Sequence, residues 1–188
     1  MHFKHPLLLA SGSPRRRQLL AEAGFVFSLK MKSVPEDFAP GLPPAEVPVM
    51  LARRKAEALR EELTDEVVLA ADTVVVVDGD ILNKPADEAE AFAMLHRLSG
   101  RMHQVITGVC LLSREKVVTL ADLTEVYFRP LTDEEITHYV RQYRPYDKAG
   151  AYGVQEWIGM VGIEKMVGSY FNVMGLPVHR VYEELMKW

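Results

Sequence analysis

Two unbroken apolar runs, Val67-Val68-Leu69-Ala70-Ala71 and Val74-Val75-Val76-Val77, are separated only by Asp72-Thr73, and they constrain this chain's fold more than any other feature. Continuous rather than alternating apolarity marks strands buried on both faces, the pattern of a sheet covered by helices. Asp78-Gly79 then sets a two-residue hairpin turn ahead of Ile81 and Leu82, so one neighbouring strand is antiparallel and the sheet is mixed.

The rest of the chain alternates strand and helix signals around that centre. Leu7 to Ala10 reads as a buried strand, followed by a turn at Ser11-Gly12 and a helix with Ser13 as N-cap and Pro14 in its first position, closed by Gly24. Phe25 to Met31 alternates as a half-buried strand, Pro35 to Pro48 is a loop, and a helix runs from about Val47 to Leu63. Asp87 and Glu90 open a helix that ends at Leu98 and Gly100, and the runs Val105 to Leu112 and Lys116 to Phe128 are β-rich. Thr132 and Glu135 open another helix to about Tyr143. Pro145 to Val178 holds six of the twelve glycines and reads as loop-rich, before a closing helix from Val178 to Lys187. The expected architecture is α/β, a mixed twisted sheet flanked by helices. The 188 residues form a single domain in this reading, with a second lobe, if there is one, beginning near Gly100.

Composition removes several functions. The formal charge is −4, which opposes general binding to nucleic acid phosphates. One cysteine, Cys110, leaves no internal disulfide and no thiolate cluster, and it reads as a small buried residue. The six histidines form no ligand pair. Leu7 to Ala10 is too short for a signal-peptide core, and no stretch approaches the roughly 20 apolar residues of a membrane span. A cytoplasmic protein is expected, without disulfides or a membrane anchor.

Five places in the chain carry candidate chemistry. Arg15, Arg16 and Arg17 occupy the first turn of a helix, where each cation is disfavoured by about 0.3 to 1 kcal/mol. Either a bound anion compensates them, at the free N–H groups that such a turn presents, or they are solvated and paired with carboxylates such as Glu22. Asp72 ends the first apolar run, so it would stand at the carboxyl end of a buried strand, as a metal ligand or general base, or else as a turn residue. Lys55 shares a helical face with Leu51, Ala58 and Leu59, and either snorkels or points into a site; Arg53 and Arg54 read as solvated neighbours, though Arg54 flanks the same stripe. Lys84 is held extended before Pro85, as a phosphate contact or an exposed loop residue. The segment from Asp147 to Gln155 combines Gly150, Gly153, Lys148, Tyr152 and Gln155, a loop that could approach a ligand closely while Gln155 reads a base edge, or an ordinary turn. Neither standard glycine-rich nucleotide fingerprint is present.

Taken together, Ala10-Ser11-Gly12-Ser13-Pro14-Arg15-Arg16, Ala71-Asp72-Thr73-Val74, Asn83-Lys84-Pro85 and the segment Asp147 to Gln155 strongly resemble the Maf family, named as septum-formation inhibitors and regarded as nucleoside triphosphate pyrophosphatases. The likeness extends through Leu51-Ala52, Lys55-Ala56 and the segment Gly168 to Pro177, nearly the whole chain. It implies a fold related to the inosine triphosphate pyrophosphatases, two lobes with a central cleft, and hydrolysis of a nucleoside triphosphate to monophosphate and pyrophosphate with Mg²⁺ or Mn²⁺. By that resemblance the catalytic residues are Asp72, the proton acceptor for water attacking the α-phosphorus, and Lys84. Ser11, Arg15, Arg16, Lys55, Thr73, Lys148 and Gln155 are the substrate-binding residues, and Glu36 and Asp72 are the metal ligands. The segment Val34-Pro35-Glu36-Asp37 departs from the acidic pair usual before that glutamate. Arg15, Thr73 and Gln155 match the branch acting on dTTP and UTP rather than the one acting on 7-methyl-GTP, and family members are often homodimers. A regulatory nucleotide-binding protein acting on cell division with little catalysis is the competing expectation, and strand binding through Arg15 to Arg17 a third.

Overall fold

The computed structural model describes residues 4–188. A seven-stranded mixed sheet forms the centre of a chain that also contains seven α-helices among the described residues. The strands are β1 (Leu7–Leu9), β2 (Phe27–Leu29), β3 (Val67–Val77), β4 (Asp80–Leu82), β5 (Met102–Leu112), β6 (Val117–Phe128) and β7 (Ile163–Val167). Their order is β2-β1-β3-β5-β6-β7, with β4 on β3. The helices are α1 (Pro14–Glu22), α2 (Val47–Glu57), α3 (Glu88–Leu98), α4 (Asp133–Tyr143), α5 (Trp157–Gly162), α6 (Tyr170–Met174) and α7 (Val178–Leu185). No helix among the described residues is long and apolar enough to cross a membrane.

The chain divides into two compact units that interleave in sequence. One comprises residues up to Thr73, Thr107–Asp122 and Gly175–Trp188; the other comprises Val74–Ile106 and Leu123–Met174.

In the first unit, β1 runs parallel to both β2 and β3, with Leu7 opposite Phe27 on one side and Val67 on the other. Ser13 caps α1 by accepting from the Arg16 N–H, and Pro14 fills the first position. The helix ends in a Schellman motif: Gly24 at φ +81° donates to the Ala21 carbonyl at 2.9 Å, and Phe25 donates to Leu20 at 3.2 Å. Helix α2 buries Ala52 and Ala56, with Leu59 just beyond it, in one cluster with Leu8, Val68, Ala70, Cys110 and Leu112. Small residues at 52 and 56 let the helix lie close to the sheet, and Gly108 on β5 makes room for its first turn. A Cβ there would fall 2.2 Å from the Val49 nitrogen. Cys110 is fully buried, and burial raises its thiol pKa to about 12, so it behaves as a small apolar residue.

In the second unit, β3 and β4 form a hairpin with Val77 opposite Asp80, and Asp78 and Gly79 take φ of +52° and +84°, the two positive angles a type I′ turn requires. Asp87 caps α3 through the Glu90 N–H, and Thr132 with Glu135 forms a reciprocal capping box on α4.

Three expectations are corrected. The strand expected from Phe25 to Met31 shortens to Phe27–Leu29 with Ser28 and Leu29 exposed, because β2 is an edge strand bonded only to β1. The helix expected to reach Leu63 ends at Glu57, and Arg60–Glu62 form a separate 3₁₀ turn. The stretch from Pro145 to Val178 is not loop-rich: it holds α5, β7 and α6. Some of its glycines serve close packing, as at Gly159, where a Cβ would fall 1.9 Å from the Val154 carbonyl oxygen, while Gly150, Gly168 and Gly175 take positive φ.

Candidate active site

Asp72 is not at the end of a strand. The two apolar runs are one strand, and Asp72 and Thr73 lie half-buried inside β3. The opening is made by β1 instead. Its last pairing sets Leu9 against Leu69, and the Ala10 N–H closes on the Leu69 carbonyl at 2.8 Å, so Asp72 stands just past the carboxyl end of this shorter neighbour.

Side chains from four segments of the first unit meet there. The Lys55 ammonium lies 2.5 Å from Asp72 Oδ1 and 2.7 Å from Glu36 Oε1, one cation shared by two carboxylates. Lys55 and Asp72 are 18% and 16% exposed, against 53% for Glu36, so the cluster is sunk at one end and open at the other. Of the alternatives left by periodicity, Lys55 points into the site.

Arg16 holds the opposite side of the strand. Its Nε donates to the Gly175 carbonyl at 2.7 Å, Nη1 to the Ala71 carbonyl at 2.8 Å and to Ser11 Oγ at 3.3 Å, and Nη2 to Thr73 Oγ1 at 2.9 Å. Four of the five guanidinium N–H groups are thereby used within the protein, leaving one for a ligand. Burial lowers the Arg16 pKa and the Asp72 carboxylate opposes that shift. Ser11 Oγ also accepts from the Ser13 N–H at 3.3 Å, which fixes the turn before α1. Arg15 is half-buried beside Arg16, while Arg17 is exposed.

Two residues of this frame were not expected. Thr107 on β5 is bonded to Thr73 through the hydroxyls at 2.9 Å, and nothing in the sequence singles it out. Arg54 is not merely a solvated neighbour: it donates to the Pro35 carbonyl at 2.6 Å, the Asp37 carbonyl at 2.8 Å and Asp37 Oδ1 at 3.0 Å. It thereby ties the loop carrying Glu36 to α2.

Lys84, Lys148 and Gln155 belong to the second unit. Lys84 is exposed just after β4, and the carbonyl of its neighbour Asn83 accepts from the Gly150 N–H at 3.2 Å, which fastens the segment 147–155 to the hairpin. Gly150 adopts φ +67° and packs on Val75, where an added Cβ would meet the valine methyls at 3.0 Å. Lys148 is buried, with its ammonium 2.7 Å from Asp147 Oδ1 and 3.1 Å from Glu156 Oε1. The buried Tyr139 hydroxyl donates to Glu156 and accepts from the Gly153 N–H at 3.0 Å, and the Tyr152 hydroxyl bonds His103 Nε2 at 2.7 Å. This segment is therefore held at three points. The side-chain carbonyl oxygen of Gln155 is buried with no hydrogen-bond partner.

An acid, a lysine and an arginine-bearing helix start are thus gathered beside one strand of a mixed α/β sheet as a sunken charged centre. Comparison with known proteins agrees: the chain belongs to the Maf family, whose Maf-like protein model matches residues 6–188. It is 51% identical to a dTTP/UTP pyrophosphatase of Porphyromonas gingivalis, over 97% of this chain and 94% of the relative. The dTTP/UTP pyrophosphatase of Cytophaga hutchinsonii is 48% identical over 96% of this chain and 83% of its own length. That of Phocaeicola vulgatus is 47% identical over 98% and 96%.

Proposed function

We propose that this protein hydrolyses dTTP and UTP, or modified pyrimidine triphosphates, to the monophosphate and pyrophosphate. The observation that carries the reading is the lysine-bridged pair Glu36 and Asp72 beside the Arg16 frame, in a chain about half identical to proteins named for that activity.

Hydrolysis at phosphorus needs a positioned water, a proton acceptor and neutralisation of charge on the phosphate oxygens. Asp72 accepts the water's proton in this reading. It is an acid set in a strand whose neighbouring residues are pinned through the Ala71 carbonyl and the Thr73 hydroxyl, so its aim is fixed before substrate arrives. The Lys55 ammonium and the remaining Arg16 donor face phosphate oxygens. In the second unit, Lys84 acts on the triphosphate. The unpartnered Gln155 carbonyl accepts from the imide N–H that thymine and uracil share.

The residues fit a divalent cation. A cation already lies between the two carboxylates in the form of the Lys55 ammonium, and Mg²⁺ is commonly held by one or two carboxylates plus substrate phosphates. The described residues contain no group of three or more His, Cys, Asp or Glu side chains placed to hold a metal ion, so the nucleotide's oxygens would complete the shell. Glu36 and Asp72 would hold the ion, which supplies charge neutralisation at the phosphates. A cytoplasmic location accompanies the reading, and the net charge of −4 supports a role without nucleic acid partners.

The test is a nucleotide panel assayed for pyrophosphate with Mg²⁺ or Mn²⁺. Asp72→Asn is expected to lower turnover by about 10² to 10⁴ while the far-UV spectrum stays unchanged. Undiminished turnover in that variant would remove Asp72 from the chemistry, and nucleotide binding without turnover in either protein would mark a regulatory binding protein.

A further inference from the structure

One ammonium holds two carboxylates that come from different parts of the chain, Glu36 from a loop and Asp72 from β3. Neither carboxylate depends on that lysine for its place. Asp72 is built into a strand, and the loop around Glu36 is tied to α2 by Arg54 through three hydrogen bonds of 2.6, 2.8 and 3.0 Å. Lys55 therefore supplies charge to this cluster rather than scaffolding. Lysine suits such a post, being a compact point charge on a flexible four-carbon stem with three donors that can turn to new oxygens.

We propose that Lys55 is an internal counter-cation: in the nucleotide-free protein its ammonium occupies the place of the divalent cation between Glu36 and Asp72, so that a metal ion settles there only together with a triphosphate. The inference rests on the reading given under Proposed function. A bare divalent cation approaching the pair meets a positive charge already in contact with both carboxylates, and to bind them it must displace the ammonium of a largely sunken lysine side chain. A triphosphate changes the balance, because its oxygens receive the ammonium as it leaves and add ligands for the ion. The exchange is one of partners: Lys55 passes from carboxylates to phosphate, and the carboxylates pass from ammonium to metal. Asp72 thereby exchanges the ammonium for the metal ion only when substrate is present, which links the state of this carboxylate to occupancy of the site.

The experiment measures Mn²⁺ alone, by the electron paramagnetic resonance signal of the free ion, in the full chain without nucleotide. Removing the like charge is expected to tighten Mn²⁺ binding about tenfold or more in Lys55→Met. Lys55→Gln should do the same should the methionine variant fold poorly. Lys55→Arg, which keeps the charge, should stay weak. Adding Glu36→Gln to Lys55→Met should reverse the gain, placing the ion at this pair. In the native protein, a non-hydrolysable α,β-imido analogue of dTTP should tighten Mn²⁺ binding. Unchanged or weaker Mn²⁺ affinity in both Lys55→Met and Lys55→Gln would overturn the proposal. Absence of pyrophosphate release from every nucleotide, with the Mn²⁺ gain intact, would instead overturn the functional reading while leaving the charge exchange standing.

Discussion

Two lysines of this chain each lie between two carboxylates, Lys55 between Glu36 and Asp72, and Lys148 between Asp147 and Glu156. Their partners differ in sequence distance and in support. Lys148 bonds residues one and eight places away within a single segment, whereas Lys55 draws together a helix, a loop and a strand. Around Lys148 the assembly is locked: Tyr139 donates to Glu156 and receives the Gly153 N–H, and the lysine side chain is 9% exposed. Around Lys55 the strand and loop are fixed by Arg16 and Arg54, and the lysine side chain is twice as exposed at 18%. The same trio of charges is thus enclosed by further bonds in one place and flanked by bonds that bypass the lysine in the other. A charge that fixes a fold is surrounded by further bonds to itself; a charge that must change partners is surrounded by bonds that do without it.

Removing each lysine is the strongest way to break that distinction. Lys148→Met strands the Glu156 carboxylate, 18% exposed, without its cation and is expected to cost about 3 kcal/mol in urea denaturation. Lys55→Met should cost about 1 kcal/mol or less, its loss being felt in turnover. Equal losses of stability would erase the difference between the clusters.

Tyr139→Phe probes the lock itself. It removes a donor to Glu156 and leaves the Gly153 N–H without its partner, an expected loss of about 1 to 2 kcal/mol. Because Gln155 lies two residues beyond Gly153, KM for dTTP and UTP should rise more than kcat falls, which initial-rate measurements would show. A fall in kcat alone would mean that the segment does not position substrate.

The smallest effect concerns His103, which bonds Tyr152 in the same segment. Burial depresses its pKa from 6.5 to about 3, so the folded protein keeps the ring neutral where the unfolded chain takes up a proton. Its contribution is complete above pH 6.5 and is lost as pH falls toward 3. Stability should drop by about 1 kcal/mol between pH 6 and pH 5, and His103→Gln should flatten that part of the profile. An unaltered slope in the variant would assign the titration elsewhere.

Much of this was legible in the chain. The cap at Ser13-Pro14, the Schellman glycine at Gly24, the turn at Asp78-Gly79 and the capping box at Thr132 follow from local chemistry within a few residues, and each formed as expected. Lys55 was visible as a charge on an apolar helical face. What local patterns could not hold is partnership over distance: that Arg16 would reach Ala71, Thr73 and Gly175, that Arg54 would hold the Glu36 loop, and that Thr107 would back Thr73. Nor could apolar periodicity show that Asp72 sits inside a strand, since a half-buried acid interrupts the pattern whether or not the backbone continues. The glycines after Pro145 misled for a similar reason, because a glycine that admits a neighbouring backbone looks the same in sequence as one that makes a turn.

The centre at Asp72 is most directly tested by where the oxygen of water ends up. Hydrolysis of dTTP in ¹⁸O-labelled water with Mn²⁺, read by mass spectrometry, is expected to put the label in the nucleoside monophosphate and none in pyrophosphate. Label in the pyrophosphate, or release of orthophosphate as the first product, would place the attack on another phosphorus and contradict the role given to Asp72.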